Sequence, residues 1–321
     1  MARSEYRTEP QCEGCRKDRI EKIWGDIAVM VQGKAMLDDL VAVVVWYNPT
    51  EEFVKNILTY QAYCKKTYII DNTENHDSRL LAESVPNSFY TWNKGNLGIA
   101  KALNEGCQQA LSDGFRWVMT MDQDSSWESQ QLEMYFSRIA SNTDPTVVSF
   151  SPTPMEPEKN TSVLGDIKRK LFHRAQVVSD DNLIVDRVIT SGNVISLEAW
   201  SEVGRFYEPL FIDEVDYEFC YRLRDKGLKI IAFPDVKFNH SIGSKKRSFF
   251  PKPSHFGVRC YYLTRNSFFM MNKYPKYCKN FHYGKCLLRM LFVNVINLYF
   301  TNIWYMYKGY KNYKSGRMTV Q

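Results

Sequence analysis

The chain has 321 residues, of which 44% are hydrophobic and 24% are charged, a balance that excludes wholesale disorder and fits one large domain, or one and a half, with a buried core. Its 42 basic and 36 acidic residues give a net charge of +6, but no acidic residue follows Asp235, so the part before that point is net acidic. A basic, aromatic tail on an acidic body indicates a surface that meets anions, either lipid head groups or nucleic acid.

Residues 1–38 are polar and irregular, and we interpret them as a flexible N-terminal extension. Cys12 and Cys15 form a lone C-x-x-C with no further ligands nearby, which favours a tail over a zinc site. Most of the eight cysteines lie in apolar runs, and the N-terminus lacks the apolar segment of a secretory signal. We therefore expect a reducing, cytoplasmic compartment.

Strand and helix patterns alternate from residue 39 to residue 245, which we interpret as a single catalytic domain. The sequence predicts strands at 40–46, 67–70, 88–92, 116–121, 146–150 and 228–233, with helices at about 50–63, 97–111, 128 onwards, 197 onwards and 214–226. Residues 151–186, with a weak helix at 165–175, are predicted to be an insertion or mobile loop. Alternation of this kind predicts a doubly wound sheet, in which ligands bind at the carboxyl ends of the strands.

Polar residues follow the predicted strands at those ends, and they are Asn48, Asp71, Asn72, Asp122 and Asp124. The last two belong to the segment Asp122-Gln123-Asp124, whose paired carboxylates suit a hard cation such as Mg²⁺ or Mn²⁺ that is shared with a nucleoside diphosphate. His240 follows a short strand-like segment and is a candidate further ligand, although a lone histidine is more often structural.

The segment 96–106 combines small residues with two asparagines, Asn96 and Asn104. Asn96 is placed to cap a helix, and Asn104 is expected to project inward two turns later. A plain, tightly packed helix explains the small residues but not both asparagines.

Four acidic residues crowd the segment 213–218. On a helix, Asp213 and Asp216 lie on one face, and a carboxylate at Asp216 could serve as a general base toward a hydroxyl group. Asp213 is also explained by capping of the helix start. Glu218 and Arg222 have the spacing of an ion pair.

In this order and spacing the motifs resemble a family-2 inverting glycosyltransferase of the GT-A fold, close to the bacterial rhamnosyltransferase-like subgroup. The matching segments are V-V-V-W-Y-N-P at 43–49, I-D-N-T at 70–73, N-L-G-I-A-K-A-L-N-E-G at 96–106, D-Q-D-S at 122–125, S-G-N-V-I-S at 191–196, V-G-R-F-Y-E-P-L-F-I-D-E-V-D-Y-E at 203–218, H-S-I-G at 240–243, R-C-Y-Y-L-T-R-N at 259–266 and K-G-Y-K-N-Y-K-S-G-R at 308–317. The resemblance implies a mixed, mainly parallel sheet flanked by helices, with a helical C-terminal segment.

The resemblance also implies a role for each matching site residue. Asp124 and His240 would hold a metal ion, Asp122 would meet the ribose, the phosphates or the metal, and Asp216 would deprotonate the acceptor. Many relatives carry Glu-Asp where this chain has Val215-Asp216, which leaves Asp213 as a rival base. The implied donor-binding set is Tyr47, Asn48, Asp71, Asn72, Asn96, Gly98, Asn104, Asp122, Ser191 and Gly192.

The function so implied is metal-dependent transfer of a sugar such as rhamnose from a dTDP-, UDP- or GDP-linked donor to a glycan or lipid-linked acceptor in surface polysaccharide assembly. The rival hypotheses are a metal-dependent nucleotidyltransferase and a non-catalytic sugar-binding scaffold. We expect no nucleic-acid partner, since no recognised nucleic-acid module is found. A homo-oligomer is a possible assembly.

Residues 246–321 form a basic, aromatic region with predicted helices at 254–273 and 283–308. The segment 287–307 has the length of a membrane span, but Asn294, Asn297 and Thr301 fall on one face, which favours an interfacial amphipathic helix. The alternatives are a helix buried against the sheet and a dimer interface. An interfacial helix would place the protein peripherally at the inner face of the cell membrane, on anionic lipid.

Overall fold

The computed structural model describes residues 38–155, 176–179, 182–240, 256–279 and 283–318. Within these ranges the strands are β1 (Leu40–Trp46), β2 (Thr67–Asp71), β3 (Ser88–Trp92), β4 (Trp117–Asp122), β5 (Ser125–Ser126), β6 (Val147–Met155), β7 (Gln176–Ser179), β8 (Asn182–Ile184), β9 (Asn193–Ser196) and β10 (Lys229–His240).

The α-helices of the same ranges are α1 (Glu51–Leu58), α2 (Arg79–Ala82), α3 (Ile99–Ser112), α4 (Ser129–Ala140), α5 (Leu197–Glu202), α6 (Val215–Asp225), α7 (Val258–Lys273), α8 (Pro275–Cys278), α9 (Tyr283–Ile296) and α10 (Phe300–Lys314). Short 3₁₀ turns at Gln61–Tyr63 and Glu208–Leu210 connect some of them.

The strands form one sheet in the order β3-β2-β1-β4-β9-β6-β10-β8-β7, and β5 pairs with the end of β10. The pairs β1–β2, β1–β4, β2–β3 and β6–β10 are parallel, whereas β9 runs antiparallel to both of its neighbours. The carboxyl ends of β1, β2, β4, β6 and β10 and the start of β9 therefore lie at one edge. This mixed sheet, its flanking helices and the C-terminal helices confirm the predicted fold class.

Strand β1 divides the core into two layers because its side chains alternate between the faces of the sheet. Leu40, Ala42, Val44 and Trp46 pack toward α1 and α4. Val41 and Val43 pack toward α3 and α6 on the other face. A strand covered on both sides needs apolar residues throughout, which is why the run LVAVVVW reads without polar interruption.

Helix α3 lies unusually close to β1 because residue 106 is glycine. A Cβ atom at Gly106 would come within 2.5 Å of Val43 Cγ1. The small residues of this segment are therefore explained by close helix–sheet packing.

Two strands are longer than the sequence predicts. β6 continues to Met155 and β10 continues to His240, and their pairing shifts register between Ala232 and Lys237. This irregularity accommodates Pro234, which has no backbone N–H for a regular ladder. Part of the predicted insertion at 151–186 belongs to the sheet, as the end of β6 and the β7–β8 hairpin. The predicted helix at 165–175 lies outside the described residues, as do the N-terminal extension and the C-x-x-C.

The single helix predicted at 283–308 is wrong, because α9 and α10 are separated by a turn in which Leu298 has a left-handed backbone (φ 57°). Asn294 lies inside the hairpin rather than on an outer polar face, and it accepts a hydrogen bond from Asn302 Nδ2 at 2.7 Å. In the part of the chain that is described, no helix is both long and apolar enough to cross a membrane.

The packing of α3 predicts that Gly106→Ala lowers the free energy of unfolding by about 1–3 kcal/mol, as expected for overpacking of a filled core. The matched control is Gly284→Ala in α9, where a new Cβ meets no atom within 4 Å. That variant should be neutral or up to about 1 kcal/mol more stable, because alanine favours a helix. Urea unfolding of both variants measures the difference, and equal stabilities would refute the close approach.

Candidate active site

A cleft of about 640 Å³ opens at the edge where the strand ends meet. Of the residues predicted from the sequence, those that line it are Tyr47, Asn72, Asn96, Gly98, Asp122, Asp124, Asp213, Asp216 and His240. They come from the ends of β1, β2, β4 and β10 and from the starts of α3 and α6. The sheet topology thus gathers residues that are up to 193 positions apart in the sequence, from Tyr47 to His240.

Asp122, Asp124 and His240 form a cluster whose potential ligand atoms all lie within 4.8 Å of one another. The short β5–β10 ladder creates this cluster, because it pairs His240 with Ser125, the residue that follows Asp124. Two carboxylates and an imidazole suit Mg²⁺ or, better, Mn²⁺, which accepts nitrogen as well as oxygen ligands. The donor set is therefore able to hold a divalent metal ion.

Two buried serines support this cluster from inside the fold. The Asp122 N–H donates to Ser191 Oγ at 3.2 Å, and Ser191 Oγ donates to Ser125 Oγ at 2.8 Å. Ser125 Oγ in turn lies 2.7 Å from His240 Nδ1 and fixes the orientation of the imidazole ring. Ser191 therefore contacts the cluster from behind, whereas the resemblance implied that it binds the donor.

The carboxyl of Asp122 is in an unusual environment. Burial raises its pKa, and the nearby Asp124 raises it further, whereas a charged His240 opposes the shift. Since a cation would neutralise this repulsion, the cluster is arranged to gain stability when it binds a positive charge.

The four acidic residues of 213–218 have four different environments. Asp213 accepts hydrogen bonds from Arg259 Nη2 at 2.8 Å and from Arg259 Nε at 3.2 Å. Glu214 accepts a hydrogen bond from the hydroxyl of Tyr283. Glu218 is fully buried and accepts from Arg222, Lys273 and Tyr274, so the predicted Glu218–Arg222 pair is present.

Asp216 faces the cleft, and the hydrogen bond described for its carboxylate comes from the neighbouring Tyr217 N–H at 2.9 Å. Burial raises the pKa of Asp216 to about 7, the Tyr217 N–H opposes this and Asp122 adds to it. A carboxylate with a pKa near neutrality is suited to accept a proton. Asp213 lies outside the helix and does not cap it, because α6 begins at Val215 and Asp213 is paired with Arg259.

The loop that precedes α6 is strained, since Phe211, Asp213 and Glu214 all have left-handed backbones (φ 61–69°). Helix α7 holds it in place. Asn266 Nδ2 lies 2.8–3.0 Å from the carbonyl oxygens of Leu210, Ile212 and Asp213. The neighbouring Arg265 is fully buried and donates to the Leu210 carbonyl at 3.1 Å.

The loop packs closely against the start of α3 because residue 98 is glycine. Gly98 has φ +84°, and a Cβ atom there would lie 2.5 Å from the ring of Phe211. The Ile99 N–H donates to the Phe211 carbonyl at 2.7 Å. Gly98 is therefore the N-cap of α3, and Asn96, which was predicted to cap it, instead accepts from the Gly98 N–H at 3.1 Å.

Four of the predicted donor-binding residues do not line the cleft, beyond Ser191. The Asp71 carboxylate is buried and accepts from the Thr73 N–H at 2.9 Å and the Tyr90 hydroxyl at 2.8 Å. The Asn104 side chain bonds the backbone of Phe206 in both directions. The remaining two, Asn48 and Gly192, shape the neighbouring backbone through positive φ angles of 49° and 79°.

The cleft residues that were not predicted from the sequence include Gln123 and Arg259. The Gln123 amide accepts from the Tyr47 N–H at 2.8 Å and donates to the Tyr47 carbonyl at 3.2 Å, which ties the end of β1 to the D-Q-D segment. Arg259 supplies a positive charge to the described wall of the cleft. It opens the segment R-C-Y-Y-L-T-R-N, which was the only sequence signal for it.

Comparison with known proteins gives matches to sugar-transferring enzymes. Residues 43–191 match the model of the family described as "Glycosyl transferase family 2". The chain is 29% identical over 247 residues to the dTDP-rhamnosyl transferase RfbF of Shigella flexneri, an alignment that covers 74% of this chain and 81% of that protein.

Solved structures give weaker matches. A crystal structure of GalNAc-T7 with UDP, GalNAc and Mn²⁺ has a TM-score of 0.49 and 14% identity, covering 63% of this chain, which spans 43% of that one. S. aureus TarS 1–349 with UDP-GlcNAc has a TM-score of 0.47 and 12% identity, covering 79% and 72% of the two chains. The family match spans the segment that contains Asp122 and Asp124, and the Shigella relative extends it over most of the chain. Residues 43–191 therefore form a glycosyl transferase family 2 domain, and the likeness of most of the chain to a rhamnosyl transferase supports glycosyltransferase activity.

Proposed function

We propose that this enzyme transfers a sugar, with inversion at the anomeric carbon, from a nucleoside diphosphate donor to a hydroxyl group of a glycan or lipid-linked glycan in surface polysaccharide assembly. The observation that supports this most is the presence in one cleft of a metal-suited cluster and a separate carboxylate, Asp216, whose pKa is near 7. The first sugar to test is rhamnose as its dTDP derivative, because the Shigella relative is a dTDP-rhamnosyl transferase.

In this proposal Asp122, Asp124 and His240 hold the metal ion, Mn²⁺ or Mg²⁺. The ion, when bound, supplies positive charge for the departing diphosphate. The exposed ring of Tyr47, together with Asn72 and Asn96, is placed to orient the nucleotide across the edge of the sheet.

Asp216 takes the proton of the acceptor hydroxyl. At the same time the oxygen of that hydroxyl forms a bond to the anomeric carbon, and the bond from the anomeric carbon to the diphosphate breaks. One carboxylate on the acceptor side is sufficient, since inversion in a single displacement needs no covalent enzyme intermediate. Arg259 is placed to hold Asp213 as a charge-paired neighbour, which leaves Asp216 as the base.

We place the reaction on the cytoplasmic side of a membrane. The six cysteines in the described ranges are all free thiols, which fits a reducing compartment. A peripheral position at the inner face would bring the enzyme to a lipid-linked acceptor.

Removal of the metal is expected to abolish transfer, and Mn²⁺ or Mg²⁺ should restore it. Asp124→Asn should weaken Mn²⁺ binding at least about tenfold, as loss of a ligand does. Glu52→Gln, which removes an exposed carboxylate in α1, is the control and should bind Mn²⁺ normally. Calorimetric titration with Mn²⁺ and a transfer assay in chelator test this, and full activity in excess chelator would refute metal dependence.

The assignment of the base predicts different effects for two neighbouring carboxylates. Asp216→Asn should lower the transfer rate by a factor on the order of 10²–10⁴ and leave donor affinity nearly unchanged. Asp213→Asn should reduce transfer less and the melting temperature more, because it removes the partner of Arg259. Donor affinity, transfer rate and melting temperature of both variants decide the matter. If Asp213→Asn alone abolished transfer at normal donor affinity, the roles would be reversed.

The pKa of Asp216 also predicts a pH dependence. Only the ionised carboxylate accepts a proton, so transfer should be maximal above pH 7 and fall toward tenfold per unit as the pH drops below the pKa of about 7. The measurement is kcat/KM for the acceptor at saturating donor and Mn²⁺, which removes the effect of proton competition at Asp122. A rate independent of pH through this range would contradict the assignment.

A further inference from the structure

Helices α9 and α10 expose an unusual amount of apolar surface. Several large apolar residues of these helices and of the turn between them are at least half exposed, and we refer to six of them together as the hairpin surface: Leu288, Phe292, Val295, Leu298, Phe300 and Trp304. Isolated exposed hydrophobic residues are common, but a run of them along two packed helices marks a surface that contacts a partner.

Two polar residues of the hairpin, Asn294 and Asn302, lie inside it. Asn302 donates to Asn294 at 2.7 Å, and the Asn302 carbonyl oxygen Oδ1 accepts from the Gly257 N–H at 2.8 Å. Gly309 packs so closely on α7 that a Cβ atom would lie 2.4 Å from the Tyr261 carbonyl. The hairpin is therefore fixed against α7, and the side chains of the hairpin surface point outward in the folded protein.

The charges around this surface have one sign. Neither α9 nor α10 contains an acidic residue, whereas Lys285, Arg289, Lys311 and Lys314 are all exposed. A second copy of the chain would bring two such positive rims together, which is unfavourable. An anionic lipid surface satisfies both features, since it accepts the apolar side chains and attracts the basic ones.

We propose that the hairpin surface docks on an anionic membrane, with α9 and α10 lying in the plane of the interface. Trp304 is suited to the head-group region because its ring is both apolar and able to donate a hydrogen bond. The docked membrane is then the surface on which the proposed glycosyl transfer takes place. The docking depends on the proposed function only for its biological purpose, because vesicle binding is measured without any sugar.

The hairpin is also connected to the cleft. Tyr283, the first residue of α9, donates to Glu214 in the loop that precedes Asp216. Arg259 in α7, on which the hairpin packs, lines the cleft. A docked hairpin would therefore hold the acceptor side of the cleft close to the lipid head groups.

The test is co-sedimentation of the full chain with vesicles of phosphatidylcholine alone and of phosphatidylcholine and phosphatidylglycerol in equal parts. We expect binding to the anionic vesicles and much weaker binding to the neutral ones. Added salt should weaken the binding to the anionic vesicles, because it screens the basic residues. Equal sedimentation with both vesicles, or with neither, would overturn the proposal.

Two double variants separate the apolar and charged contributions. Phe292→Ser with Val295→Ser should weaken partitioning at least about tenfold, because two side chains no longer enter the apolar phase. Leu80→Ser, at a residue that is 82% exposed in α2, is the matched control and should bind normally.

Lys285→Gln with Arg289→Gln should weaken binding by roughly 30-fold at low salt, at about 1 kcal/mol for each charge. Lys55→Gln with Lys226→Gln removes the same net charge from exposed positions elsewhere and should bind normally. If the two charge variants behaved alike, net charge rather than this surface would explain the binding, and the proposal would be wrong.

Melting temperatures establish that each variant is folded, and light scattering reports the oligomeric state. A dimer that Phe292→Ser dissociates, without vesicle binding, would show that a second copy covers the surface and would overturn lipid docking. Vesicle binding without any sugar transfer would refute the proposed reaction and leave the docking intact. Transfer to a water-soluble acceptor by variants that no longer bind vesicles would support both.

Discussion

The site depends on a short strained loop that α7 holds from outside the sheet. Residues 211, 213 and 214 adopt left-handed backbones, each of which costs on the order of 1–3 kcal/mol in a residue with a side chain. Asn266 offsets this by lying within hydrogen-bond distance of three carbonyl oxygens of the loop, and Arg265 contributes further bonds. The same loop packs on Gly98 and delivers Asp216 to the cleft. Its conformation therefore determines where the candidate base lies relative to Asp122.

Because α7 both clamps this loop and supplies Arg259, the boundary predicted at residue 245 does not separate the site from the C-terminal region. The sheet provides one wall of the cleft and α7 provides part of the other. Packing of the loop against α7 holds Asp216 at the cleft, and a preorganised carboxylate loses little free energy in reorganisation during proton transfer.

Much of the fold was predictable, because buried strands such as β1 are continuous apolar runs that end at polar residues. The position of the D-Q-D segment was predictable because it directly follows the apolar run of β4. The environments of Asp71 and Asn104 were not, because the groups that bond them, such as the Tyr90 hydroxyl and the Phe206 backbone, are 19 and 102 residues away. The serines behind His240 depend on the β5–β10 ladder, which two residues of sequence do not specify.

The C-terminal hairpin illustrates how a helical pattern misleads when its polar residues have partners. Asn294 and Asn297 suggest a polar outer face, but Asn294 is buried against Asn302 in the next helix. Once the amides satisfy each other inside, the apolar side chains remain on the outside, where water contact is unfavourable. That cost is removed if a partner covers the hairpin surface. Tyr283, at the start of the hairpin, links it to the loop beside Asp216. The same α7 that stabilises the strained loop therefore also orients the hairpin, so the geometry of the cleft and the direction of the apolar surface are fixed by one helix.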